Sequence, residues 1–171
     1  GISMPIMVMS PEPSAFDAIV KHKLEPEIYN LDILKSFIGF LNENVKNYPI
    51  HLKIETGMHR LGFEESELAD LLQQINETDK VKVISVFSHL VGSDDPKHDE
   101  FTAHQLGRFT SVADKIREGI GYSFIRHISN TSGISRHPEA QLDMVRIGIG
   151  LYGFDGGLSH NKGLQTVAVL K

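Results

Sequence analysis

The sequence predicts an α/β protein built on a parallel sheet. Short apolar or β-branched runs alternate with longer amphipathic segments along the chain, and no low-complexity linker or internal repeat interrupts this order. Alternation of strand, helix and strand is typical of right-handed βαβ units, which place their strands side by side and parallel.

Six runs are predicted to be strands, with helices between most of them. The predicted strands are residues 6–9, 27–29, 50–54, 81–87, 124–129 and 144–149. Prolines at 11 and 13 open a first predicted helix over 11–20. Apolar residues from Leu31 to Val45 recur at three- and four-residue steps after Asn30, which suits a helix cap. The same spacing predicts helices over 68–75 and 106–116.

Two of the predicted strands carry charged residues on one face. His51, Lys53 and Glu55 alternate with apolar residues in the third run, and Arg146 does so in the sixth. Cations are costly to bury without a partner. Either these residues face an anionic ligand at the mouth of a barrel, or the strands lie at a sheet edge and the charges face water. The pattern leaves both possibilities open.

Composition excludes several classes of protein. The formal charge is −5, from 22 acidic and 17 basic side chains, and there is no basic block, which argues against a nucleic-acid partner. The absence of cysteine excludes disulfides, thiolate metal sites and a cysteine nucleophile. The apolar stretches are too short to cross a bilayer, and the first residues lack the pattern of a signal peptide. We therefore expect a cytoplasmic protein without membrane contact.

An acidic, histidine-containing stretch covers residues 94–99, Asp-Asp-Pro-Lys-His-Asp. It does not have the ligand spacing of a known metal site. We interpret it as a solvated loop before a helix that begins near Asp99, and we predict no metal site.

Three stretches are more specific than any periodic pattern. Residues 51–63 read His-Leu-Lys-Ile-Glu-Thr-Gly-Met-His-Arg-Leu-Gly-Phe, residues 87–90 read Phe-Ser-His-Leu, and Asn-Thr-Ser-Gly at 130–133 is followed by Asp-Met-Val-Arg-Ile-Gly-Ile-Gly-Leu-Tyr-Gly at 143–153. In this order they closely resemble the alanine racemases. The resemblance implies a (β/α)8 TIM-type barrel truncated to about strands 3–8 in residues 1–155. Residues 156–171 would then be a loop and the start of a C-terminal β-domain.

The resemblance also implies an activity. Alanine racemases are homodimeric isomerases that interconvert L- and D-alanine through a Schiff base of pyridoxal 5'-phosphate. They thereby supply D-alanine for peptidoglycan in the bacterial cell wall.

Three positions match residues around the cofactor ring. Arg146 matches the arginine that bonds the pyridine nitrogen, and a guanidinium has donors only, so that nitrogen must stay unprotonated. His89 matches the residue that packs against the ring. His127, on the preceding predicted strand, is expected to support Arg146.

Four more positions match the phosphate side of the cofactor site. Gly148 and Ile149 match backbone N–H donors to the phosphate, and a glycine allows close approach of the backbone. Thr131 matches a phosphate-binding hydroxyl that is usually a serine. Asn130 is either a ligand of the cofactor or a turn former.

Lys53 and Arg60 match a pair of cations on the substrate side. Arg60 corresponds to the arginine near the substrate carboxylate and the phenolic oxygen of the cofactor, and a turn through Thr56 is expected to bring it back over the pocket. In the family the lysine is often carbamylated, which makes it an anion that orients the arginine. A carbamate on Lys53 is therefore a hypothesis for this chain.

Neither catalytic base of the family has a match. The Schiff-base lysine lies in a Val-Lys-Ala-Asn-Ala-Tyr-Gly type of motif, and the second base is a tyrosine of the C-terminal domain. Neither is found in these 171 residues, and Tyr152 does not match that tyrosine. We therefore expect no racemase activity from the isolated chain. Two alternatives stay open, a pyridoxal-phosphate carrier protein with the related barrel and a non-catalytic barrel fragment.

Overall fold

The computed structural model describes residues 1–154 and 164–167. Within them one parallel sheet has the strand order β1-β2-β3-β4-β5. The strands are β1 (Met7–Val8), β2 (Glu25–Ile28), β3 (Tyr48–Lys53), β4 (Val81–Phe87) and β5 (Ile125–His127). The helices are α1 (Phe16–Lys21), α2 (Leu31–Phe40), α3 (Leu68–Asn76), α4 (Asp99–Ile120) and α5 (Thr131–Arg136). One helix lies between each pair of successive strands, so the chain forms consecutive βα units of a partial α/β barrel.

The helices pack on one face of the sheet through an apolar core. Phe16 and Phe37 meet edge to face with their ring centroids 5.0 Å apart, and both side chains are buried. Alternate residues of the strands supply the sheet's half of this core, among them Ile50 and Leu52 of β3. The residues between them therefore point to the opposite face.

That opposite face is polar, and it is buried too. Parallel pairing aligns Glu27 with His51, His51 with Ser85, and Lys53 with Phe87, so these side chains share one face. Because β3 lies between β2 and β4, Lys53 is only 3% exposed. The interpretation that the charged strands lie at a sheet edge is therefore wrong for β3.

The sixth predicted strand, 144–149, does not form. Within the described residues only two backbone hydrogen bonds tie this stretch to the end of β5, from Asp143 N to Arg126 O at 3.2 Å and from Arg146 N to Ser129 O at 3.1 Å. Gly148 then takes φ −102° and ψ −99°, which ends the extended backbone, and a 3-10 helix follows at Ile149–Tyr152. The stretch runs beside β5 without forming a ladder.

Two helix boundaries also differ from the prediction. Glu12 is extended because it precedes Pro13, so a 3-10 turn comes first and α1 begins only at Phe16. The helix predicted to continue to Val45 ends at Phe40, since Leu41 is extended, although Leu41 still packs in the core. The predicted cap is confirmed, because Asn30 Oδ1 accepts a hydrogen bond from Ile33 N at 2.8 Å.

The predicted start of a C-terminal β-domain falls largely on residues 155–163 and 168–171, which lie outside the described residues. Residues 164–167 carry no regular secondary structure, and Val167 N donates to Tyr152 O at 3.2 Å. Among the helices that the structure describes, none combines the length and the apolar character needed to cross a membrane.

Candidate functional site

A cavity of about 280 Å³ lies at the carboxyl ends of β4 and β5. It brings together all six sequence-predicted cofactor residues. Its lining consists of His89, Asn130, Thr131, Ser132, Arg146, Ile147, Gly148 and Ile149. A larger surface cavity, of about 680 Å³, lies beside the loop after α3 and contains none of the predicted site residues, so we place the site in the smaller one.

The loop after β5 is held in place by Asn130. Its Oδ1 accepts hydrogen bonds from Gly133 N at 2.9 Å and from Ser93 Oγ at 2.8 Å, while Nδ2 donates to Leu90 O at 3.0 Å. These bonds cap α5 and fasten the loop to the segment after β4. They favour the turn-forming interpretation of Asn130 over a ligand role.

Thr131 organises the glycine-containing loop on the other side of the cavity. Its Oγ1 accepts hydrogen bonds from Gly148 N and Gly150 N, both at 3.1 Å. A Cβ on Gly150 would lie 2.8 Å from Thr131 Cγ2, so that glycine is needed for the close approach. A Cβ on Gly148 would meet nothing within 4 Å, so open space lies beside its backbone.

Arg146 is partly buried, and its guanidinium lies beside the end of β5 and the first residue after β4. Its guanidinium donates to His127 Nδ1 and to Ser88 O, each at 2.5 Å, and lies over the Phe87 ring at 5.2 Å from the ring centroid. Burial lowers the pKa of Arg146 to about 10, and the charge of Glu27 opposes that shift. Arg146 is therefore a cation at neutral pH with a fixed orientation.

A chain of hydrogen bonds continues from Arg146 through the polar face of the sheet. His127 Nε2 lies 3.0 Å from Ser85 Oγ, Ser85 Oγ lies 2.6 Å from His51 Nδ1, and His51 Nε2 lies 2.8 Å from Glu25 Oε2. The arginine only donates and the carboxylate only accepts, so every bond in the chain must point from Arg146 toward Glu25. His127 then carries its proton on Nε2, and His51 carries its own on Nε2.

Burial keeps the histidines of the site uncharged. It is the largest cause that lowers the pKa of His127 to about 3, followed by the charge of Arg146. It also lowers the pKa of His89 to about 4, with Arg146, Lys53 and Arg60 adding to the shift. His89 therefore presents a neutral ring to the cavity at neutral pH.

Lys53 lies on the polar face beneath the cavity. Its Nζ is 3.6 Å from Glu27 Oε1 and 5.2 Å from the centroid of the Phe87 ring. Burial lowers the pKa of Lys53, and the charges of Arg60 and Arg146 lower it further, while Glu27 raises it.

Arg60 is not among the residues that line the cofactor cavity, and its place over the substrate side stays a prediction. Glu55 accepts hydrogen bonds from Gly57 N and His59 N and closes the turn locally. Phe63 then returns to β3, its N donating to Lys53 O at 2.8 Å. The intervening loop projects outward with Arg60 exposed, yet close enough for its charge to lower the pKa of Lys53 and His89.

The sequence-based interpretation missed residues of the site both in the cavity lining and behind it: Ser132, Ile147, Glu25, Glu27, Ser85 and Phe87. Phe87 was noted only as the first residue of a motif, although its ring stacks on His127 with centroids 4.9 Å apart. The one available signal for the acids was their two-residue spacing, which puts both on one face of a strand. Which residues they meet depends on the register of the sheet.

The stretch 94–99 forms local structure. Asp95 Oδ1 accepts from Lys97 N at 3.0 Å and caps a short 3-10 helix, while Asp99 pairs with Arg136 at 2.7 Å. Over the part of the chain that the structure describes, no three histidine, aspartate or glutamate side chains come together as a metal site would require.

Comparison with known proteins gives a consistent result. The profile of the family "Alanine racemase, N-terminal domain" matches residues 1–155. Alanine racemase 1 of Oceanobacillus iheyensis is 31% identical over 175 residues, covering 100% of this chain and 46% of that protein. The alanine racemase of Clostridium novyi is 35% identical over 158 residues, covering 90% of this chain and 40% of that protein.

Solved structures show the same fold. The alanine racemase of Clostridium difficile 630 in complex with cycloserine is 27% identical, with a TM-score of 0.85 over 97% of this chain and 46% of that one. An alanine racemase from Bartonella henselae with covalently bound pyridoxal phosphate is 22% identical, with a TM-score of 0.81, covering 97% of this chain and 47% of that one; it supports the fold alone. The chain spans about half the length of the curated relatives it matches.

Proposed function

Because the chain belongs to the family of alanine racemase N-terminal domains, we propose that it forms the cofactor-binding face of a racemase that interconverts L- and D-alanine. The observation that carries this proposal is the cavity at the ends of β4 and β5, where six residues matched from separate motifs line one space. In the proposed function the whole enzyme is a homodimer and its D-alanine serves peptidoglycan synthesis.

The cavity fits pyridoxal 5'-phosphate by its chemistry. Its described lining contains a cation, two hydroxyls and backbone N–H groups but no carboxylate, which suits a ligand with an anionic phosphate and an acceptor nitrogen. The open space beside Gly148 leaves room for an oxygen to approach the backbone closely. The neutral ring of His89 adds no charge that would repel Arg146.

Each residue has a distinct part in holding the cofactor. Arg146 would donate to the pyridine nitrogen, and because it cannot accept a proton back, it keeps that nitrogen unprotonated. Ile149 would donate its backbone N–H group to the phosphate, and Gly148 would do so by exchanging its present acceptor, Thr131 Oγ1, for a phosphate oxygen. His89 would pack on the ring. When bound, pyridoxal phosphate supplies an electron sink for the charge left on a substrate α-carbon.

The remaining residues set the electrostatic potential of the site. Lys53 and Arg60 make the substrate side positive, which favours binding of the alanine carboxylate. The chain from Arg146 to Glu25 fixes the guanidinium, and the charge of Glu27 favours its charged form. The two proton-exchanging bases of the family match no residue here, so we propose that the isolated chain binds cofactor without racemising alanine.

Binding of pyridoxine 5'-phosphate tests the cofactor site. This analogue keeps the ring and the phosphate but lacks the aldehyde, so it cannot react with surface lysines. We expect saturable binding by calorimetry, and about 10- to 100-fold weaker binding by Arg146→Lys, since a charge-assisted hydrogen bond is worth about 1.5–3 kcal/mol. The lysine keeps the charge but loses the planar fork.

The matched control is Arg126→Lys, which makes the same change at an arginine of β5 that pairs with Asp143 outside the cavity. It should bind like the wild type. Absence of saturable binding, or equal affinity in the wild type and Arg146→Lys, would contradict the proposed site. In a coupled D-alanine assay with pyridoxal phosphate we expect no turnover, and cofactor-dependent turnover would show that the bases are present after all.

A further inference from the structure

Glu27 is a fully buried acid on the polar face of the sheet. Its carboxylate Oε2 accepts a hydrogen bond from Ser10 N, while Oε1 has no hydrogen-bond partner among the described residues. The nearest cation is Lys53, whose Nζ lies 3.6 Å from Oε1, and the two side chains are 0% and 4% exposed. An acceptor oxygen without a hydrogen bond therefore lies beside a buried ammonium, slightly beyond hydrogen-bond distance.

Glu27 is also the acid that offsets several positive charges. Lys53 feels the charges of Arg60 and Arg146, which lower its pKa, whereas the charge of Glu27 raises it. Glu27 likewise raises the pKa of Arg146. A buried charge needs a partner of opposite sign to remain ionised. The carboxylate thus stabilises two cations of the site at once.

We propose that Glu27 is a positioning residue whose carboxylate is the permanent counter-ion of Lys53, and that Lys53 is consequently a free ammonium rather than a carbamate. Carbamylation needs an unprotonated amine. Its nitrogen attacks CO2, an N–C bond forms, one proton leaves, and an anion remains. Glu27 opposes this reaction twice, because it favours the protonated amine and because it would lie beside the new anion.

The location of Glu27 makes it a fixed partner. It belongs to β2, it pairs in register with His51 of the neighbouring strand, and its other oxygen is anchored by a backbone N–H. An anion supplied by the sequence performs the charge neutralisation that a carbamate would supply only in the presence of CO2. This proposal concerns the charge of one side chain, so it stands or falls independently of the proposed racemase function.

The test uses ¹³C-labelled bicarbonate and ¹³C NMR of the chain at neutral pH. We expect no carbamate signal from Lys53 in the wild type. In Glu27→Gln the unprotonated fraction of Lys53 should rise about tenfold or more, since losing an opposite charge shifts a pKa by about 1–3 units. A carbamate signal should then appear, and it should vanish in Glu27→Gln/Lys53→Gln.

The control is Glu65→Gln, which removes the partner of Lys115, an ion pair at 2.5 Å whose two side chains are about half exposed. The Lys115 amine stays in water and no signal should appear. A Lys53 carbamate in the wild type would overturn the proposal, and this arm requires no variant to fold. A folded Glu27→Gln chain, verified by circular dichroism, that shows no carbamate would also overturn it.

Discussion

Ser85 links the two histidines in the hydrogen-bond chain behind Arg146, and Ser85→Ala tests whether that chain stabilises the fold. The hydroxyl lies 2.6 Å from His51 Nδ1 and 3.0 Å from His127 Nε2, and the residue is 1% exposed. Alanine fits the space without strain but leaves one nitrogen on each buried ring without its partner. The chain is then interrupted at its centre.

The expected loss follows from those two nitrogens. A buried polar group left unpaired costs about 1–3 kcal/mol. We therefore expect Ser85→Ala to lower the free energy of unfolding in urea by about 2–6 kcal/mol. The ¹⁵N shifts of His127 should also change, because its Nε2–H loses the acceptor that fixes the tautomer.

Ser88→Ala is the matched control. Ser88 is 2% exposed, its hydroxyl takes no part in the chain, and its Oγ has one described partner, Thr56 Oγ1 at 2.7 Å. Thr56 also lies within reach of Gln105 Nε2, at 3.3 Å, so this change should cost only about 1 kcal/mol. A loss in Ser85→Ala no greater than that in Ser88→Ala would refute the cooperative chain.

Two further predictions concern acid stability and the turn after β3. The folded-state pKa of His127, about 3, lies below its ordinary value of 6.5. As the pH drops from about 6.5 toward 3, the unfolded chain therefore binds the proton first and the free energy of unfolding falls. In His127→Asn the slope of that free energy against pH should be smaller by up to about 1.4 kcal/mol per pH unit, and exposed His104→Asn is the control. Gly62 has φ +132°, and a Cβ there would lie 2.6 Å from Glu55 N. Gly62→Ala should therefore lower the free energy of unfolding, measured by thermal denaturation, by about 1–3 kcal/mol. Gly39→Ala, in the middle of α2, should raise it by up to about 1 kcal/mol. An unchanged slope, or equal effects at the two glycines, would contradict these expectations.

Local patterns predicted the elements that depend on local physics. The strand predicted at 81–87 has the bounds of β4, because Val81, Val83 and Val86 with Ile84 make a short segment rich in β-branched residues, which favours a strand whatever lies beside it. The cap at Asn30 is equally local. The missing strand at 144–149 has the same kind of composition, but its hydrogen bonds depend on the three-residue β5 beside it and on the backbone of Gly148, neither of which periodicity reveals.

The site was predicted unevenly for the same reason. Residues in motifs, such as Arg146 and His89, could be identified from the chain alone. Glu27 could not, because its contact with Lys53 depends on how β2 pairs with β3, and the register of β3 against β4 shifts between Ile50 and His51. Parallel pairing of distant segments is set by tertiary packing, so a buried ion pair between strands leaves no periodic signal in either one.

One physical cause, burial, gives the titratable groups of the site different charges at neutral pH. It lowers the pKa of His127 to about 3 and of Arg146 to about 10. Histidine starts near neutrality and loses its charge, whereas arginine starts far above and keeps it. Lys53 lies between these cases, since burial and two arginines lower its pKa and, among the described residues, the carboxylate of Glu27 raises it. Its charge therefore depends on a single carboxylate, which makes Glu27 the residue where one substitution should change the electrostatics of the whole cavity.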